Sequence, residues 1–277
     1  MGVLYRRTPG VRIIVRDPGA IQFGFDATRA GLIEVADAAA VARALRQLDG
    51  SVSRERFVYQ LRAAGVGDGA PSLVDELVSF GLWQPLRPPD AIYVLGMSPL
   101  ALQVCDALRA DGFRVRRPRL GELTAHYVQR IDPDVPVLCI DEDRHMAMLA
   151  RIIRSMPSTW LPVTTFDTRV LLGPFHTHGK GPCPLCFSLH RTDADPHWVT
   201  VTDQRHPTDS LDSLVALAGV AHIVAAARHL VGRPGLPGAT PVRWMPGEVR
   251  EIDVFGRTHQ QFLEPHARCP ACFQAEA

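Results

Sequence analysis

Almost no net charge remains once 30 basic residues are set against 29 acidic ones, a formal balance of +1. That balance gives no global pull toward nucleic acid or an anionic membrane. An N-terminal signal is also missing: Met1 to Arg16 carries arginines but no long apolar run, so no secretory segment is expected. The longest apolar stretch, Leu211 to Val231, contains Asp212, His222, Arg228 and His229, which predicts a buried helix of a soluble protein rather than a membrane span. Cysteine is scarce, six in 277 residues, which excludes a disulfide scaffold and points to a reducing cytoplasm. The 46% hydrophobic content suffices for a sizeable core in two domains.

The cysteines that are present have a pattern. Cys183-Pro-Leu-Cys186 is answered near the C-terminus by Cys269-Pro-Ala-Cys272. Such a thiolate pair chelates one metal ion from a single tight turn, and a second pair completes a closed tetrahedral sphere. The prolines suit these turns because they preset φ. A structural zinc on Cys183, Cys186, Cys269 and Cys272 would tie the tail to the middle of the fold across about 80 residues. Cys105 and Cys139 lie in apolar contexts and read as core. His176, His178, His190 and His197 read as surface residues or as supports of the ligands.

Residues 11–83 read as a small α/β unit. Val11–Val15, Ala20–Phe25 and Gly31–Val35 predict three short strands, the first turning at Asp17-Pro-Gly19. Three helices follow, capped by Asp37, by Ser51 or Ser53, and by Ser72. Gly81-Leu-Trp-Gln84 predicts a wing strand returning to the sheet, and the whole makes a winged helix-turn-helix. A DNA reader needs Lys or Arg on its third helix. This one carries Asp75 and Glu76 and no base. The other use of such a unit is strand addition, in which an exposed edge pairs with an extended peptide. Leu73, Leu77 and Phe80 lie on one stripe, either as core or as the lining of a groove.

Pro85 to Asp90 is a proline-rich linker, dividing the chain into domains 1–84 and 91–277. Strand Ala91–Gly96, a helix capped by Ser98 with Pro99 first, strands at Phe113 and Val135–Asp141, helix Arg144–Ser155 and strand Leu161–Thr165 form a βαβ series of Rossmann type. A nucleotide loop needs glycines where backbone approaches phosphate, and here only Gly96 is present, followed by Met97, Ser98 and Pro99. The site therefore reads as degenerate, and ATP is not expected. Asp141 reads as a helix cap and Arg114–Arg119 as a solvated edge. Thr168–Phe175 is a further strand, and Val242–Trp244, Glu248–Val254 and His259–Leu263 predict an antiparallel meander around Pro246-Gly247 and Gly256.

Pro9-Gly-Val, Gln22–Asp26, Leu48-Asp-Gly50 and Phe80–Trp83 resemble the RiPP recognition element, which binds leader segments of ribosomally made peptides. Gly173-Pro-Phe175 and the first knuckle resemble the ThiF-like, ubiquitin-activating-enzyme fold. Cys186–Trp198 is similar to the corresponding segment of ThiF-like proteins of azoline-containing bacteriocin biosynthesis, labelled cyclodehydratase or leader-peptide-binding proteins. The likeness covers nearly the whole chain. It implies a homodimer, a zinc on the four cysteines, and partnership with a YcaO-family cyclodehydratase that activates backbone amides with ATP. The loop at Gly96 departs from that family, so the chain is expected to bind and present a leader peptide without adenylating it. An ATP-dependent adenylating enzyme of ThiF type is the alternative, and a zinc-containing transcription factor a third. The expected peptide contacts are Leu32, Ile33, Glu34, Val35, Leu73, Glu76, Leu77 and Phe80.

Overall fold

The computed structural model describes residues 3–26, 28–29, 31–206, 209–233, 235–240, 243–255 and 258–273. Contacts divide the chain into two compact units, Met1–Pro88 with Arg233–Val242, and Pro89–Gly232 with Arg243–Ala277.

The first unit contains β1 (Leu4–Arg7), β2 (Ile13–Asp17), β3 (Ala20–Phe23), β4 (Gly31–Glu34), α1 (Ala38–Gln47), β5 (Val52–Ser53), α2 (Arg54–Ala63), α3 (Ala70–Ser79) and β6 (Trp83–Pro85). Asp37 caps α1, accepting from the Ala40 N–H at 2.9 Å, and Ser53 caps α2, accepting from Arg56 at 3.3 Å. Ser72 caps nothing. A 3₁₀ turn at Gly67–Gly69 feeds straight into α3, and Pro71 fits its first turn, so the helix starts before the serine. The meander β2-β3-β4 forms as expected. The wing strand Trp83–Pro85 forms too, but it joins β1 in a separate sheet of order β5-β1-β6. Between the sheets and the helices lies one core, with Ile21, Leu45, Phe57 and Trp83 fully enclosed. The Phe57 and Trp83 rings meet at 5.0 Å in a tilted pair.

In the second unit the elements are β7 (Ala91–Leu95), α4 (Pro99–Ala110), β8 (Arg114–Arg116), α5 (Thr124–Val128), β9 (Val137–Ile140), α6 (Met146–Ser155), β10 (Trp160–Thr165), β11 (Arg169–Leu172), α7 (Pro184–Ala194), α8 (Trp198–Thr202), α9 (Ser213–Leu230), β12 (Glu248–Asp253), β13 (His259–Phe262) and α10 (Pro270–Phe273). One sheet runs β13-β12-β11-β10-β9-β7-β8, parallel from β8 to β10 and antiparallel from β10 to β13. The chain goes outward from β7 to β8, then back across to β9. That reversal opens a crevice beyond the strand C-termini, between β7 and β9. α9 packs on α4 and β11, burying Val215, Ile223, Ala226 and Ala227. Among the described residues it is one helix long and apolar enough to cross a membrane by length and composition, with 33% of that window buried. Of the expected C-terminal strands two form. Arg243 and Trp244 are not strand; Trp244 packs on Phe175 instead, ring to ring at 5.9 Å, while Val242 and Gly256 lie outside the described residues.

Candidate peptide edge, strand-end cleft and metal cluster

β4 is an edge strand of the meander. Its neighbour Val35 donates to the Gly19 carbonyl at 2.8 Å, which fixes the alternation of the ladder. Ile33 and Gly31 share that inward phase with β3, whereas the main-chain N–H and C=O of Leu32 and Glu34 point off the edge. Side chains alternate independently of this. Ile33 and Val35 pack on the core, while Leu32 (50% exposed) and Glu34 project from the opposite face. On α3, Leu73 and Leu77 are 8% and 1% exposed and belong to the core, so these two expected peptide contacts are withdrawn. Glu76 and Phe80 remain on the open side. A Cβ on Gly31 would stand 3.1 Å from the Phe80 ring, so the ring rests on the strand where there is no side chain. The open face of α3 is acidic, its Asp75 paired with Arg54 at 2.8 Å.

The crevice at the strand ends is a cleft of about 400 Å³ whose lining includes Met97, Asp141, Asp143, Arg144, Thr165 and Arg205. Asp141 is not a helix cap. Its carboxylate turns back across the sheet and accepts from the Thr165 N–H and hydroxyl, each at 2.8 Å, while α6 starts with no side-chain cap. Asp143, which sequence reasoning missed, accepts from the Thr164 hydroxyl at 3.1 Å. Arg205 bridges the two carboxylates at 3.2 and 2.8 Å and also donates to the Thr165 carbonyl. Burial pushes the Asp143 carboxyl up to about 6, with Arg205 opposing the shift and Asp141 adding to it.

Gly96, at φ +119°, is demanded by packing: a Cβ there would stand 2.1 Å from the Ile140 carbonyl oxygen. At the start of α4, Pro99 has no N–H, the Ser98 hydroxyl takes that of Ala101, and the Ser98 carbonyl takes that of Leu102. Little of the helix terminus is left to hold an anion. Arg116 and Arg117, expected as solvated, are half-buried. They donate to the Tyr93 hydroxyl and to the Gly96 carbonyl, each at 2.9 Å, because β8 borders β7 at this corner.

The four knuckle cysteines converge. The Sγ atoms of Cys183 lie 3.8 Å from Cys186 and 3.6 Å from Cys269, and Cys186 lies 3.4 Å from Cys272. All four are buried, unbridged and within 4.8 Å of one another. A tetrahedron of sulfurs at the usual metal–thiolate distance has edges of about 3.8 Å. The donor set therefore fits one tetrahedral metal ion. Cys183 opens α7 and Cys269 precedes α10, so each pair sits on a helix start. His266 donates its main-chain N–H to Cys186 Sγ at 3.3 Å, and its ring is held by Asp193 at 2.9 Å and by the edge of His190. Sequence reasoning did not single it out, since the signal is only its position three residues before Cys269. His176 is fully buried rather than on the surface, its Nδ1 at 3.1 Å from the Gly181 carbonyl.

No protein-family model and no curated protein matches the sequence. Solved structures do. A heterocyclase in complex with substrate and cofactor superposes over 98% of this chain with a TM-score of 0.60 at 16% identity, and the heterocyclase TruD over 98% with 0.61 at 14%. E. coli MccB, in its structure with ATP, aligns over 97% of this chain and 99% of its own, with a TM-score of 0.51 at 11% identity. MccB, the microcin C7 biosynthetic enzyme, has also been solved in complex with N-formylated MccA. The chain spans 39% and 43% of the two heterocyclases. These likenesses establish the fold, a mixed α/β arrangement shared with heterocyclases and MccB.

Proposed function

We propose that this protein binds the leader of a ribosomally made precursor peptide and presents it to a separate YcaO-family cyclodehydratase for azoline formation, without chemistry of its own. The observation that carries the reading is the open edge of β4, where the main chain of Leu32 and Glu34 has no partner among the described residues and stands beside the exposed Phe80 ring. An extended peptide gains main-chain hydrogen bonds there and side-chain contacts on both faces. On this reading the first domain, residues 1–84, is a winged helix-turn-helix used for peptide recognition. The ThiF-type domain, residues 91–277 apart from the segment 233–242 that packs in the first unit, is a scaffold stabilised by one zinc on Cys183, Cys186, Cys269 and Cys272. The protein acts as a homodimer in the cytoplasm. DNA binding is disfavoured by the acidic open face of α3, since duplex phosphates would meet Asp75 and Glu76.

The alternative is an adenylating enzyme, favoured by the cleft at the strand ends and by the likeness to MccB, which has been solved with ATP. Against it stands the start of α4, where Pro99 has no N–H and the Ser98 hydroxyl takes that of Ala101. One experiment separates the two. The purified full chain is given a precursor peptide from a neighbouring reading frame, and both amide hydrogen exchange and ATP–pyrophosphate exchange are followed. Slowed exchange at the Leu32 and Glu34 amides with no pyrophosphate exchange is the expected result. Robust pyrophosphate exchange would replace it with the enzyme reading.

A further inference from the structure

Resting on the docking reading above, we infer that the peptide taken at the β4 edge is basic and apolar, with large apolar residues at the Gly31 end and Lys or Arg at the Glu34 end. A strand added to β4 sends alternate side chains to its two faces. On the helix side they meet Ile33 and the Phe80 ring, with Glu76 one turn away on the same exposed face of α3. On the other side they meet Leu32 and then Glu34. The face opposite the helix thus offers an apolar side chain and a carboxylate, and the helix side offers an apolar surface at the foot of the acidic face of α3.

Among the described residues neither Glu34 nor Glu76 has a cationic partner, whereas the neighbouring Asp75 is neutralised by Arg54. The direction comes from what bounds the edge. At the Gly31 end the Phe80 ring stands on the strand, and the segment 235–240 closes in on Arg29, just before it. A Cβ on Gly238 would stand 2.5 Å from the Arg29 carbonyl oxygen, and one on Gly81 would stand 3.6 Å from that of Gly235. The Glu34 end has no such boundary: its lining is Asp17, Gly19, Ala20, Val35 and Ala36 besides the glutamate, with no base among them. A cationic side chain entering there meets the Glu34 carboxylate and no base in that lining, while Asp17 lies two strands away on β2.

The probe is a random short-peptide display library selected on the full-length chain, with hydrogen exchange locating each recovered peptide. Peptides that slow exchange at Leu32 and Glu34 should be rich in Lys or Arg and large apolar residues. They should weaken as salt rises, and about tenfold in the Glu34→Lys, Glu76→Lys double variant. Both positions are solvent-exposed, so the variant folds, and Glu34→Gln with Glu76→Gln gives an intermediate loss. Peptides that protect the same amides without basic enrichment, or that ignore the charge reversal, overturn the inference and leave the docking reading standing. If no peptide protects those amides, the docking reading fails and the inference with it.

Discussion

At the scale of single residues, the cleft is governed by one carboxyl. Asp143 has its pKa raised to about 6 by burial. A group that binds its proton more tightly when folded stabilises most at low pH, and that contribution is lost as pH climbs from its unfolded value through 6. Asp143→Asn removes the titration. Relative to this variant, the wild type should lose about 3 kcal/mol of stability between pH 3.5 and 7, as measured by urea denaturation across that range. A difference that stays flat would mean that Arg205 keeps Asp143 ionised throughout. Gly96 is a second residue-scale case. Its positive φ and the 2.1 Å approach of the Ile140 carbonyl explain the glycine without any phosphate. Of the glycines a nucleotide loop would use, only the one that β9 requires is here.

At the scale of elements, the phase of β4 decides which substitution reports on peptide docking. From the sequence alone, proline at Ile33 looks like the removal of an edge donor. The ladder shows that the Ile33 N–H points inward to β3, while those of Leu32 and Glu34 point outward. Ile33→Pro should therefore unfold the meander at a cost of about 3 kcal/mol. Leu32→Pro, with its N–H on the open side, should leave stability within about 1 kcal/mol and weaken an edge-bound peptide up to about tenfold. Thermal melts and titration with a bound peptide check both. Equal affinity of the Leu32→Pro variant would move the site off this edge. The same helical logic applies to α3: Leu73 and Leu77 share a stripe with each other and with the core, and Glu76 and Phe80 share the open one.

At the scale of the whole molecule, the cysteine cluster ties α7 to the C-terminal helix α10 across more than 80 residues. The purified protein should carry about one equivalent of zinc by elemental analysis. Cys272→Ser or a strong chelator should remove it and lower the denaturation midpoint steeply, because metal binding free energy here is folding free energy. Full stability in the metal-free protein would reduce the cluster to four packed thiols. The fold shared with the heterocyclases and MccB leaves the division between binding and catalysis to the cleft, and pyrophosphate exchange is the measurement that decides it.

Much of this was written locally in the chain. The caps Asp37 and Ser98, the short β-branched strands, the βαβ order and the paired knuckles each depend on residues within a few positions of one another. Their geometry follows from backbone spacing, and the sequence by itself determined them. What it left open depends on residues far apart. Arg205 reaches Asp143 across 62 positions, His266 reaches Cys186 across 80, and the Trp83 strand finds β1 rather than the meander. No local period encodes such partners. Burial likewise separated Leu77 from Phe80 on what reads as a single stripe. Only the packed structure decides which atoms lose water, and that loss sets both the carboxyl's proton affinity and the edge left open for a partner.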